Sequence, residues 1–314
     1  MGELRRGRGA GTLALALAAS LAACKDPPPP AHADAAPAAS SAPLEAAAPP
    51  LPQNNNPYTP TQIQRVTNPT GLAPYAGPTG SVEGTITVRG GEPPRVEGDF
   101  SRCPDGAGAY GTQFRVGAPG AEAGTHELAD AIVAITGYEG FVAPKTDYVS
   151  VSFEGCAYDR RTVLLTYGQR IEVLNRSKKQ LITPDIDGVP VISLRIAAPR
   201  SIAPVKLYPP GVGRFRLIDR GVLKYISEDV YVLLHPLHAA SDLKGHYRID
   251  GIPVGKATVN AGHPAFSGDA AKEVQIEPNV VLRVDLTLAG PGADAGAAAP
   301  KPSGSKKVTP APIR

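Results

Sequence analysis

Ser241-Asp242-Leu243-Lys244-Gly245-His246-Tyr247-Arg248-Ile249, followed by Gly251-Ile252-Pro253-Val254-Gly255, is the stretch that decides how this chain is read. Asp242 is placed to cap a turn through its own backbone, and Gly245 to supply the positive φ a tight turn needs. Pro253 and Gly255 make a second turn, so the two bracket a short strand at residues 246–249. Far upstream, Gly80-Ser81-Val82-Glu83-Gly84-Thr85-Ile86-Thr87-Val88-Arg89-Gly90 places Val82, Ile86 and Val88 on one face of another strand, with a glycine at each end. Working outward, alternating or β-branched runs recur at residues 82–88, 131–136, 148–153, 162–166, 170–174, 189–196, 214–218, 230–234, 246–249, 257–261 and 280–288, bounded by Gly, Pro, Asn and Asp. No segment of helical length keeps a 3.6-residue apolar period with good caps. The pattern predicts an all-β protein, a sandwich or two joined sandwiches.

The flanks are of another kind. Arg5, Arg6 and Arg8 precede an apolar run at residues 12–21, too short to cross a bilayer, which reads as an export signal. Leu21-Ala22-Ala23-Cys24 resembles the lipobox of bacterial lipoproteins. That resemblance implies cleavage of a signal peptide at residues 1–23, fatty acylation at Cys24, and stable anchoring by several acyl chains together. An ordinary secretory signal with a chance Cys is the other reading. Lys25, where enteric inner-membrane lipoproteins carry Asp, favours the outer membrane of the cell envelope over the inner. Residues 24–79 read as a disordered tether, with eleven prolines from Pro27 to Pro60 set among Ala and Ser. Residues 289–314 read as a disordered tail, where Lys301, Lys306 and Lys307 are solvated charge.

Charge and composition exclude some classes. Without residues 1–23 the chain keeps 29 basic and 28 acidic residues. No basic excess exists to drive nucleic-acid binding. Trp is absent and aromatic residues make up 5% of the chain, which argues against the stacked platforms of many glycan and single-strand binders. Beyond the signal no apolar run is long enough to span a membrane.

The two opening patterns, in this order at the two ends of one domain, resemble carboxypeptidase regulatory-like (prealbumin-like) sandwiches, a carbohydrate-binding-like fold. Between them stand Gly155-Cys156-Ala157-Tyr158-Asp159-Arg160-Arg161-Thr162-Val163, then Gly168-Gln169-Arg170-Ile171-Glu172-Val173-Leu174-Asn175, and finally Val232-Leu233-Leu234-His235-Pro236. These resemble plastocyanin-like (cupredoxin-like) periplasmic proteins that carry such a sandwich on the same chain. The implied architecture is a prealbumin-like β-sandwich at residues 80–137 plus 236–288, with a degenerate cupredoxin-like sandwich, residues 138–235, inserted in it. Cys103 and Cys156 are the two cysteines besides Cys24. An even pair in an oxidising compartment reads as a disulfide. That pairing rests on count and resemblance, and two unpaired thiols are the alternative.

The chemistry expected of a cupredoxin is missing. A type 1 copper site needs two His, a Cys and a weak axial Met. The resemblance puts the first His at Leu181, and the Cys, second His and Met at Arg220, Leu223 and Ile226. No Cys or His lies between Tyr158 and Leu234, and the single Met is Met1. No metal or other cofactor is therefore expected. His235, His238, His246 and His263 can be read as a two- or three-His metal site, but turn histidines bonded to backbone are the preferred reading. Asp185 and Asp187 read as turn residues rather than a catalytic pair, and Ser177 and Ser241 lack the surroundings of a nucleophile. No catalytic residue is assigned. The expectation is a lipid-anchored, non-catalytic binding or scaffolding module of the envelope, whose partners are the membrane and an unidentified envelope protein or glycan. An envelope metal-binding or electron-transfer protein using other His residues, and a carbohydrate- or peptidoglycan-binding module, are the alternatives.

Overall fold

Every second residue of Thr79–Arg89 is buried, as the alternation of Val82, Ile86 and Val88 requires. A computed structural model describes residues 56–190 and 194–293, and this strand is the spine of its first sandwich. It pairs antiparallel with His246–Pro253 and Thr125–Leu128, and parallel with Val281–Arg283 and Leu286–Ala289. Val116–Pro119 extends the sheet beyond Thr125–Leu128. The facing sheet runs His238–Ala240, Ile132–Thr136, Gly255–His263, Phe266–Ile276. Val82, Ile86, Leu128, Ile135, Tyr247 and Val259 fill the space between them.

Two glycines of the opening patterns have steric reasons. A Cβ on Gly84 would lie 1.9 Å from the Val284 carbonyl oxygen, where Val284 and Asp285 interrupt the parallel partner strand. Gly245 has φ +69°, and a Cβ there would lie 2.3 Å from the Ile86 carbonyl oxygen. The Asp242 carboxylate closes that turn by accepting from the backbone N–H groups of Lys244 (2.8 Å) and His246 (2.9 Å). Gly245→Ala is therefore expected to destabilise the protein by about 2 kcal/mol, since both the backbone conformation and the close approach resist a side chain. A urea midpoint equal to that of the wild type would refute this account of the turn. Pro253-Val254-Gly255 works differently from a simple hairpin turn: it is a corner that carries the chain from one sheet to the other.

Thr136 leads into the second sandwich and Leu233 leads out. One of its sheets is ordered Val205–Leu207, Arg170–Asn175, Tyr148–Glu154, Ala157–Tyr158, and the other Thr162–Thr166, Ser227–Leu233, Gly213–Asp219, Pro184–Ile186. Both contain a parallel pair. Phe153, Leu165, Ile171, Leu207, Leu217 and Val230 belong to its separate core. The protein is all-β, with two sandwiches.

Several boundaries differ from expectation. The expected tether does not extend to residue 79. Pro60–Thr67 is a helix, started by a capping box in which the Thr59 hydroxyl accepts from Gln62 N–H while the Gln62 side chain accepts from Thr59 N–H. Tyr58 packs on Tyr167 at 4.9 Å and donates to the Pro209 carbonyl at 3.0 Å, so this stretch is bound to the second sandwich. The described part of residues 189–196 is not a strand; the strand is Pro184–Ile186, ended by a turn at Asp187 and Gly188. Residues 280–288 hold two strands, not one. Cys103 and Tyr110, assigned by position to the first sandwich, pack in the second core. The expected signal, Cys24, the expected tether up to residue 55 and the expected tail from residue 294 lie outside the described residues. Among those described, no helix is long and apolar enough to cross a membrane.

Candidate functional site

Residues 93–115 leave the first sandwich and cross to the second. Cys103, buried in this segment, is joined by a disulfide to Cys156 in the turn after Tyr148–Glu154, with a Cα–Cα separation of 5.6 Å. The short helix Gly106–Tyr110 then turns the Tyr110 ring into the second core. The Tyr110 hydroxyl donates to Glu228 and accepts from the Tyr158 backbone N–H at 3.2 Å. Glu228 is fully buried, and its second carboxylate oxygen has no partner among the described residues. Burial pushes its pKa up to about 8, against the lowering effect of the Tyr110 hydrogen bond. Burial, followed by the proximity of Glu228, likewise raises the Tyr110 and Tyr158 phenols.

Asp130 ties this layer to the first sandwich from a left-handed backbone conformation, φ 65°. Its carboxylate accepts a two-pronged contact from Arg115, both arms 2.8 Å, and the backbone N–H of Arg161 at 2.9 Å. Its carbonyl accepts from the Thr162 hydroxyl at 2.8 Å. Ser241 braces Asp130 from within the first sandwich: its hydroxyl donates to the Leu128 carbonyl at 2.7 Å and accepts from Ala131 N–H at 2.9 Å. Both Ser241 oxygens are thus engaged, because its carbonyl accepts from Asp130 N–H. The buried ion pair and its hydrogen bonds hold the two sandwiches in one arrangement.

A cleft of about 330 Å³ opens over this joint. Gln113 lines it from the crossing segment and Pro264 from the first sandwich; Arg161, Arg214, Arg216 and Asp229 line it from the second. Arg214 donates to Asp229 at 2.9 and 2.7 Å and lies over the Tyr231 ring. Arg161 donates to the Thr112 carbonyl at 2.8 Å and sits 5.7 Å from the centre of the Tyr110 ring. A larger cleft of about 610 Å³, which also touches Val96, runs between residues 91–112 and the strand edge at Val116, Gly117 and His126.

The residues singled out in the sequence are dispersed. His235 faces Tyr138 and His238 approaches the Thr166 hydroxyl at 3.5 Å. His263 stacks on Phe266 with ring centres 4.8 Å apart and accepts from Ala265 N–H, while His246 is exposed. Among the described residues no three His, Cys, Asp or Glu are grouped to hold a metal. Asp185 is paired with Arg220 at 2.5 Å, and Asp187 accepts from its neighbour Gly188 N–H. The Ser177 hydroxyl donates within its own loop, to Asn175 at 2.7 Å or the Gln180 carbonyl at 2.8 Å. Leu223 and Ile226 are core side chains, and Leu181 is half-exposed. Glu228 was missed, although the alternation Glu228, Val230, Val232 places it on the inner face of Ser227–Leu233. An acid on the apolar side of an alternating strand is the signal that finds it.

No family model matches the chain, and no curated protein matches it. Among solved structures it is similar to a chain of a heme-copper terminal oxidase dimer, with 11% identity over 42% of this chain and 88% of that one. The TM-score is 0.23.

Proposed function

We propose that this chain is a lipid-anchored, non-catalytic binding or scaffolding module of the cell envelope, built from a carboxypeptidase regulatory-like sandwich and a cupredoxin-like sandwich that no longer binds copper. The observation that carries the reading is chemical. Where the resemblance expects ligands stand Leu181, Arg220, Leu223 and Ile226; Leu223 and Ile226 are packed into the core, and Arg220 is held by Asp185. Hydrocarbon and a paired guanidinium replace the donor set, so the sandwich serves as a scaffold. The other polar candidates are committed as well: the Ser177 hydroxyl to Asn175 or the Gln180 carbonyl, and the Ser241 hydroxyl to backbone, while the buried Asp130 is held by Arg115. That supports a structural role over catalysis. What stays open to a partner is the surface around the joint between the sandwiches, and the Leu21-Ala22-Ala23-Cys24 motif supports display at a membrane.

The test is made in intact cells. Crosslinking the wild-type protein should capture envelope neighbours, and Cys24→Ser should move the protein out of the membrane fraction and lose them. A Cys24→Ser variant that fractionates and crosslinks as the wild type does would refute the anchored-module reading.

A further inference from the structure

We infer that the cleft between the sandwiches is a binding site for an oxyanion, a phosphate or carboxylate group carried on a small envelope ligand, with Arg216 as its principal contact. The inference rests on the binding-module reading and names the chemistry of its ligand. In the antiparallel pairing of Gly213–Asp219 with Ser227–Leu233, Arg216 lies directly opposite Asp229 and Arg214 opposite Tyr231. Yet Asp229 is taken diagonally by Arg214. Arg216 is left with one hydrogen bond, to the Ser227 hydroxyl at 3.0 Å, and no carboxylate partner among the described residues.

Arg161 adds to this excess. Among the described residues its side chain donates only to the backbone carbonyls of Ala109 and Thr112, which fix the guanidinium without neutralising it. The lining of the cleft therefore carries three guanidinium groups against the single carboxylate of Asp229. The rest of the wall includes Val96, Tyr110, Tyr225, Pro264 and Ala265. A concave site with low-dielectric walls and one sign of charge in excess concentrates the opposite charge. Arginine is the side chain whose planar fork matches phosphate and carboxylate with two parallel hydrogen bonds. Because Arg161 is already held by Thr112 and Tyr110, part of the ordering cost is met before the ligand arrives. At about 330 Å³ the cleft is at the small end of ligand sites, which suits a charged head group rather than a whole polymer chain. Arg216 and Ser227 also line the neighbouring cleft, whose wall mixes Arg220 and Lys224 with Asp187 and Asp219, so the excess of positive charge belongs to the cleft between the sandwiches.

The purified full-length protein is titrated with inorganic phosphate and, separately, with acetate at constant ionic strength, following arginine side-chain N–H signals by NMR. Saturable shifts at Arg161 and Arg216 are expected with at least one of the two anions, and the tighter anion identifies the source as phosphate- or carboxylate-bearing. Arg216→Gln, an exposed position, should weaken binding at least tenfold. Arg248→Gln, in the first sandwich and paired with Glu83 and Asp250, should leave it unchanged. Shifts that never saturate with either anion, or equal affinity in Arg216→Gln and wild type, would overturn the inference. If that happens while cellular crosslinks persist, the anion site falls and the binding-module reading stands.

Discussion

Replacing Cys103 and Cys156 together by alanine should lower the unfolding free energy by about 4 kcal/mol. The bond closes a loop across 53 positions of sequence, and the chain-entropy account assigns a loop of that size a stabilisation of about 4 kcal/mol through restriction of the unfolded chain. The effect should also be local. Residues 93–115 connect two strands of the first sandwich, yet Tyr110 packs in the second core and donates to Glu228. The disulfide sits just ahead of that anchor, beside Tyr225, whose hydroxyl donates to the Cys156 carbonyl at 3.0 Å. Losing it should speed hydrogen exchange in residues 93–112 beyond the change seen in the two cores. Urea midpoints with and without reductant measure the first effect in the wild-type protein itself. An unchanged midpoint after verified reduction would remove the disulfide from any account of stability.

The same segment shows why part of the fold was legible and part was not. Strands buried on one face announce themselves by alternation, as in Thr79–Arg89 and Arg170–Asn175. Phe266–Ile276 is as long as Thr79–Arg89 but lies at a sheet edge, and its sequence, FSGDAAKEVQI, buries only Ile276 fully. Nothing in such a pattern separates an edge strand from a loop. Val116–Pro119, Thr125–Leu128, Val205–Leu207 and His238–Ala240 escaped for a related reason: each is three or four residues long, below the length at which periodicity speaks. The Asp242–Gly245 turn was readable because its chemistry is local, an Asx cap and a left-handed glycine. The joint between the sandwiches was not, because Asp130, Arg161 and Ser241 are far apart in sequence and meet only once both sheets have formed. The cleft is illegible for the same reason, and only the diagonal pairing of Arg214 with Asp229 sets Arg216 apart from its neighbours.

The polar groups buried at and near that joint should give the protein a stability maximum near pH 6.5. Burial holds the pKa of His238 and of His263 down at about 4, from an ordinary 6.5. Below pH 6.5 the unfolded chain therefore binds protons that the folded chain refuses, and stability falls with pH by about 1.4 kcal/mol per unit for each histidine. Glu228 works the other way. Burial raises it to about 8 from an ordinary 4.5, while Tyr110, Arg161 and Arg115 pull it down and Asp130 pushes it up. Its contribution is complete below pH 4.5 and is lost as pH rises toward 8, again by about 1.4 kcal/mol per unit. Between 4.5 and 6.5 the two histidines outweigh the one acid; above 6.5 the acid acts alone, and stability declines. Glu228→Gln keeps an acceptor for the Tyr110 hydroxyl but cannot ionise. It should match the wild type near pH 4.5 and exceed it at pH 8 by about 4 kcal/mol, with a flat profile from pH 6.5 to 8. Denaturation midpoints of both proteins across that range decide the matter. A variant that declines above pH 6.5 as steeply as the wild type would show that some group other than Glu228 sets the alkaline limb, and that the acid buried behind Tyr110 is ionised in the folded protein.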